Sequence, residues 1–85
     1  MSAVNHRNSK RITQSPRSVV IGNHRTSVRL ESAMWDALHE IAAARRITVH
    51  DLIAEIDRNH TQASLSSAIR VYIVEHYRGE VLNRA

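Results

Sequence analysis

Arg25, Ser27 and Arg29 occupy alternate positions in the run His24-Arg25-Thr26-Ser27-Val28-Arg29-Leu30. Alternate side chains of an extended chain share a face, so these three stand on one side and Thr26, Val28 and Leu30 on the other. An arginine fork donates two hydrogen bonds at once, which matches the O6 and N7 acceptors of guanine, and a serine hydroxyl pairs with any base edge. The chemistry on offer is hydrogen-bond readout of a nucleic-acid groove. An exposed strand also carries charge simply to block edge-to-edge aggregation, so the triplet needs support from elsewhere in the chain.

The charge distribution supplies it. The chain has 85 residues and a net charge of +4. Residues 1–30 hold six basic side chains (Arg7, Lys10, Arg11, Arg17, Arg25 and Arg29) and no acidic one, whereas residues 31–85 hold the other six basic and all eight acidic ones. A basic N-terminal third on a neutral-to-acidic body points to a polyanionic partner. Hydrophobic residues at 42% and charged residues at 24% are ordinary globular composition. With no Cys, disulfides, thiolate chemistry and Cys-based zinc sites are excluded. No apolar run approaches the roughly 18 residues of a membrane span, and Met1–Ser18 is too polar for a signal peptide. The expected location is cytoplasmic.

The elements that must position the triplet follow from pattern. Residues 1–17 show neither helical nor strand periodicity and are expected to form a flexible basic arm. Residues 18–78 are expected to form the folded domain, and residues 79–85 a C-terminal tail. Val19-Val20-Ile21 is a short β-branched run and Gly22-Asn23 a turn signal, followed by the alternating strand to Leu30. Whether Val19–Ile21 forms a further strand is open. Beyond residue 31 the pattern is helical. Ser32 is the expected N-cap of a first helix whose stripe is Met34, Leu38, Ile41 and Ala42. Thr48 caps a second, with Asp51 three residues on and Val49, Leu52, Ile53 and Ile56 as its stripe. A third helix is expected from Ser64 through Tyr77, stopped by Gly79. Of its residues 68–74 only Arg70 is polar, which suits a helix buried between subunits.

A lone strand leaves unpaired N–H and C=O groups along both edges. The simplest remedy is the same strand from a second chain, antiparallel across a two-fold axis. The fold class expected is therefore mainly α: an intermolecular antiparallel β-ribbon plus three helices per chain, in an obligate dimer.

The ordered series His24-Arg25-Thr26-Ser27-Val28-Arg29-Leu30-Glu31, Trp35-Asp36-Ala37-Leu38, Glu55-Ile56-Asp57 and Leu65-Ser66-Ser67-Ala68-Ile69-Arg70-Val71 resembles the ribbon-helix-helix superfamily, over roughly Ser18 to Arg78. The resemblance implies a homodimer whose β-ribbon enters the DNA major groove, with Arg25, Ser27 and Arg29 reading bases. It also implies a phosphate held at the start of the second helix. If that helix is the one beginning at Thr48, Thr48 and the backbone near Val49 are the anchors, with His24 beside the strand as a further phosphate contact. If residues 48–58 are an insertion, Ser64, Ser66 and Ser67 take the role.

Other residues carry less. His6, His24, His39, His50, His60 and His76 form no i, i+3 or i, i+4 pair, so no metal site is expected. Glu40, Glu55 and Asp57 read as solvated helix faces, and no nucleophile motif or phosphate loop is present. Trp35, Tyr72 and Tyr77 sit among helical apolar residues and read as packing. No enzyme activity and no cofactor are expected. The function expected is sequence-specific double-stranded DNA binding by a homodimer, acting as a transcriptional repressor or regulator. Two alternatives stand beside it: the antitoxin of a toxin–antitoxin pair, with Ser64–Ala85 holding a partner protein, and an oligomeric adaptor that binds no DNA.

Overall fold

The computed structural model of the chain describes residues 14–84, with side chains to residue 80. Most of the expected basic arm, including His6, Arg7, Lys10 and Arg11, lies outside the described residues. The element order is β1 (Gln14–Ile21), β2 (His24–Glu31), α1 (Ser32–Arg45), α2 (Val49–Asn59) and α3 (Leu65–Arg84).

The strand expected to pair with a second chain pairs instead within its own. β1 and β2 form a two-stranded antiparallel hairpin in the register Ile21↔His24 through Gln14↔Glu31. The turn between them is two residues long. Gly22 takes φ +62°, while Asn23 is not among the positive-φ residues, the pattern of a type II′ hairpin turn with glycine at its first central position. That turn matches the twist of the flanking strands, so the local sequence closes the ribbon without a partner. The folded region accordingly includes residues 14–17, which were expected to belong to the arm, because β1 is eight residues long and not three.

The two edges of the hairpin can be read from side chains that reach them. The backbone N–H of Val20 donates to His50 Nδ1 at 3.2 Å, and the carbonyl of Arg29 accepts from Ser66 Oγ at 3.2 Å. Backbone groups of an antiparallel pair alternate between facing the partner strand and facing away. Val20, Ser18 and Pro16 therefore present their backbone groups outward from β1, and their partners Arg25, Ser27 and Arg29 do so from β2. Pro16 thus falls where a missing N–H costs the ladder nothing.

Behind the hairpin, Val19, Val28 and Leu30 join Trp35, Leu38, Ile41, Leu52, Ile53 and Ile69 in one core, with Leu30, Leu38, Leu52, Ile53 and Ile69 fully buried. Each such side chain contributes about 1.5–3 kcal/mol on leaving water. Arg17, on the inner face of β1, lays its guanidinium 4.8 Å from the Trp35 ring centroid, and the indole N–H donates to the Ser15 carbonyl at 2.8 Å.

Two helix boundaries depart from expectation. β2 runs directly into α1, so Glu31 is the N-cap, without a side-chain cap bond, and Ser32 is the first helical residue. The chain leaves α1 through Arg46 in the left-handed region, φ 59°, with its N–H on Ala43 and that of Ile47 on Ala42. Thr48 Oγ1 does accept from the Asp51 N–H at 3.0 Å, as a cap should. At α3, Ser64 Oγ accepts from the Ser67 N–H, and the helix continues through Gly79 to Arg84, so residues 79–84 are helix and not tail. A glycine inside a helix costs only about 1 kcal/mol against alanine, which does not stop a helix that the flanking residues sustain.

Candidate nucleic-acid interface

The hairpin has a helix-covered face and an open one. Arg25, Ser27 and Arg29 all lie exposed on the open face, while Val28 and Leu30 are buried and Thr26 half-buried behind them. Successive outward side chains are about 6.7 Å apart along a strand, close to two base steps of about 3.4 Å. The three residues therefore span about four base steps. Among the described residues, neither Arg25 nor Arg29 has an ion-pair partner, whereas Arg45 and Arg70 do. Both outward guanidinium forks are thus free for two-point hydrogen bonding.

The register places a second outward row on β1: Pro16 opposite Arg29, Ser18 opposite Ser27 and Val20 opposite Arg25. All three are exposed, and Val20 is 45% exposed, among the few large apolar side chains left open to water. Sequence reasoning missed this row. Its only signal was the short β-branched run ending at the turn.

The residues expected near phosphates divide between the two sides of the hairpin. His24 is exposed at the start of β2, beside the turn. Thr48 is exposed and engaged as the cap of α2, Val49 is half-buried and packs against the core, and the next residue, His50, holds β1. On the other side, Ser66 holds the Arg29 carbonyl and Ser64 donates to Ser67 Oγ at 3.0 Å. The structure brings Ser66 against β2 through the backbone of Arg29, and it sets the two helix starts on opposite edges of the hairpin.

The β2–α1 junction is braced by Glu31. Arg70 Nε and Nη2 donate to its two carboxylate oxygens at 3.1 and 3.3 Å, and Gln14 Nε2 reaches it at 3.3 Å. These contacts, led by Arg70, hold the Glu31 carboxyl below the usual carboxylate range. The Arg45 fork does the same for Glu55, with 2.9 Å to each oxygen, and ties the end of α1 to α2. Tyr77 O–H donates to Glu40, and Asp57 lies 3.7 Å from His60. These acidic side chains thus serve contacts between and within helices. Among the described residues no three His, Asp or Glu side chains converge as a metal ligand set, and no helix is long and apolar enough to cross a membrane.

The ribbon-helix-helix domain family matches residues 14–77 of the chain. Its members are generally DNA-binding. Among solved structures, an uncharacterized protein from Bordetella pertussis Tohama I is similar, with a TM-score of 0.75 and 30% identity over 92% of this chain and 66% of that one. The chain thus spans just under two thirds of that protein's length. No curated protein matches it.

Proposed function

Because the chain belongs to the ribbon-helix-helix domain family, we propose that it binds double-stranded DNA sequence-specifically as a homodimer and acts as a transcriptional regulator, most simply a repressor. The observation that carries this reading is the open hairpin face. It presents Arg25, Ser27 and Arg29 in one exposed row, with no ion-pair partner on either arginine among the described residues and no acidic residue on either strand before Glu31. A two-stranded ribbon fits the major groove, and arginine forks are the commonest readers of guanine there.

A second copy has two surfaces available. One is the outer edge of β2. The other is the face of α3 on which Val71 and Val74 remain 38% and 50% exposed, between Arg70, Glu75 and Arg78. In a homodimer the two hairpins meet half-sites related by two-fold symmetry. Thr48, Val49 and His24 on one side, or Ser64, Ser66 and Ser67 on the other, are the groups we assign to phosphates.

Fluorescence anisotropy with a fragment of the protein's own promoter against scrambled DNA, at two salt concentrations, tests the reading. Preference for the promoter fragment is expected to survive the higher salt, while non-specific binding falls away. Arg25→Ala and Arg29→Ala are each expected to cost about 1–3 kcal/mol on the specific site. Equal affinity for both DNAs that vanishes with salt would sink the assignment.

The exposed Val71 and Val74 also suit a protein partner, as an antitoxin carrying its toxin on the last helix requires. A second polypeptide co-purifying in fixed stoichiometry would favour that form, in which the hairpin still binds DNA. A folded dimer with no DNA affinity at either salt would leave the adaptor.

A further inference from the structure

We infer that Arg17, Ser18, His39 and His50 form a phosphate-binding site at the outer edge of β1. The inference rests on the DNA-binding reading above, with a second chain joined at the outer edge of β2. It adds contacts from β1 and α1 to the helix starts assigned there.

A pocket of about 150 Å³ opens where β1, α1 and α2 meet. It is lined by Arg17 and Ser18 of β1, Trp35 and His39 of α1, and Val49 and His50 of α2, and no Asp or Glu lines it. Among the described residues Arg17 has no ion-pair partner. Its guanidinium lies over the Trp35 ring instead, 4.8 Å from the centroid. A guanidinium held on an indole face keeps its N–H fork for another partner.

The edge of β1 adds a backbone donor. Pro16 has no N–H, and that of Val20 is taken by His50 Nδ1 at 3.2 Å. Ser18 between them has an outward N–H left to offer. Because His50 Nδ1 accepts, the neutral ring carries its proton on Nε2 and donates from there. His39 is exposed on the same rim. A guanidinium fork, a backbone N–H and two imidazoles with no carboxylate among them are the donor set that suits a phosphate oxyanion.

The width of the joined sheet brings DNA to this pocket. Neighbouring strands lie about 4.8 Å apart, so four strands with two β2 at the centre set the β1 axes about 14 Å apart. The major groove is about 12 Å wide. The two β2 strands then lie over the bases, and the outer edge of each β1 meets a sugar–phosphate wall. A backbone phosphate is therefore the expected occupant, and a free phosphate group would meet the same donors.

The test measures anisotropy of the full chain on promoter and scrambled DNA across a salt series. Beside it, inorganic phosphate is titrated into the chain without DNA at constant ionic strength, followed by NMR at the Ser18 amide. Arg17→Gln is expected to weaken binding to both DNAs about tenfold, the worth of one hydrogen bond to a charged group. It is also expected to reduce the slope of log affinity against log salt by about 1. Arg17→Lys keeps the charge and is expected to restore the slope, which separates a lost contact from a loosened strand. His39→Ala, on α1, is expected to weaken both DNAs by one common factor and keeps the site testable should Arg17→Gln disturb β1. If these variants bind both DNAs as the parent does, while phosphate shifts the Ser18 amide in the parent and not in Arg17→Gln, the occupant is a free phosphate and the backbone assignment is overturned. No effect on DNA and no phosphate shift overturn the site altogether, and promoter preference that still depends on Arg25 and Arg29 would leave the DNA-binding reading intact. A parent that binds no DNA would overturn that reading, and the phosphate titration alone would then decide the site.

Discussion

The imidazole of His50 accepts the backbone N–H of Val20 at 3.2 Å, tying the first turn of α2 to the outer edge of β1. The bond joins residues thirty positions apart, and it lies one strand away from the row formed by Arg25, Ser27 and Arg29. An edge N–H without such a partner is left to water or to another strand. His50→Ala is expected to reduce stability by about 1 kcal/mol, the worth of one such hydrogen bond, as read by urea denaturation. Faster amide exchange at Val20 than at its neighbours would locate the loss. An unchanged denaturation midpoint with unchanged exchange would show that the bond holds nothing.

Little of β1 was legible, for a physical reason. Its inward residues are Ser15, Arg17, Val19 and Ile21, so half of the face that should be apolar is polar. Trp35 makes this possible by taking the Ser15 carbonyl with its N–H and the Arg17 guanidinium with its ring. A tertiary partner therefore stood in for the alternation that marks a strand, and Pro16 argued against one. β2 was legible because Val28 and Leu30 alternate cleanly and both are buried. The α2 cap was legible because Thr48 and Asp51 meet within four residues of chain. Val71 and Val74, both left open by the single chain, keep the apolar stretch of α3 from being explained by the monomer.

The two helix starts make separable predictions about phosphates. A neutral group that holds a phosphate loses affinity about equally on all sequences when removed, and leaves the slope of log affinity against log salt nearly unchanged, because that slope counts phosphates neutralised by Lys and Arg. Thr48→Ala and Ser64→Ala both remove helix caps, so each is expected to cost about 1 kcal/mol of stability whatever its DNA role. Affinity for promoter and scrambled DNA separates the roles. An equal loss on both DNAs for Thr48→Ala alone assigns the phosphate to α2, and one for Ser64→Ala with Ser67→Ala assigns it to α3. Unchanged affinities for all three variants would exclude the hydroxyls of both helix starts.

Glu31 links stability to pH. Its carboxyl is held below the usual range, first by the Arg70 guanidinium, then by its own backbone N–H and by Gln14. A carboxyl lowered in the folded state stabilises in full above its unfolded value, about 4.3, and that contribution disappears as pH falls through the lower folded value. The parent is therefore expected to lose a modest part of its melting temperature below about pH 4, since the Glu31–Arg70 pair is open to solvent and screened. Glu31→Gln is expected to be less stable at neutral pH and to show a shallower acid limb. Glu55, lowered by Arg45 in the same way, leaves part of the slope in place, and adding Glu55→Gln should flatten it further. Parallel acid limbs for parent and Glu31→Gln would contradict the linkage.

Val71 and Val74 test whether α3 forms the interface of the proposed homodimer. Both are partly open to water in the single chain, and Val74 is half exposed, so Val74→Asp is expected to change monomer stability by no more than about 0.5 kcal/mol. Across a subunit interface the same charge would be desolvated without a partner, which is far more costly. Val74→Asp is therefore expected to raise the dimer dissociation constant at least about tenfold by analytical ultracentrifugation, a change of about 1.4 kcal/mol or more. Affinity for a two-half-site operator should fall with it, because linking two half-site contacts in one dimer is what raises the apparent affinity. Binding of the variant to a single half-site should be unchanged, since the hairpin face lies on other elements. A Val74→Asp chain that stays dimeric would move the interface to the outer edge of β2, where Ser66 would have to release the Arg29 carbonyl before a second strand could pair there.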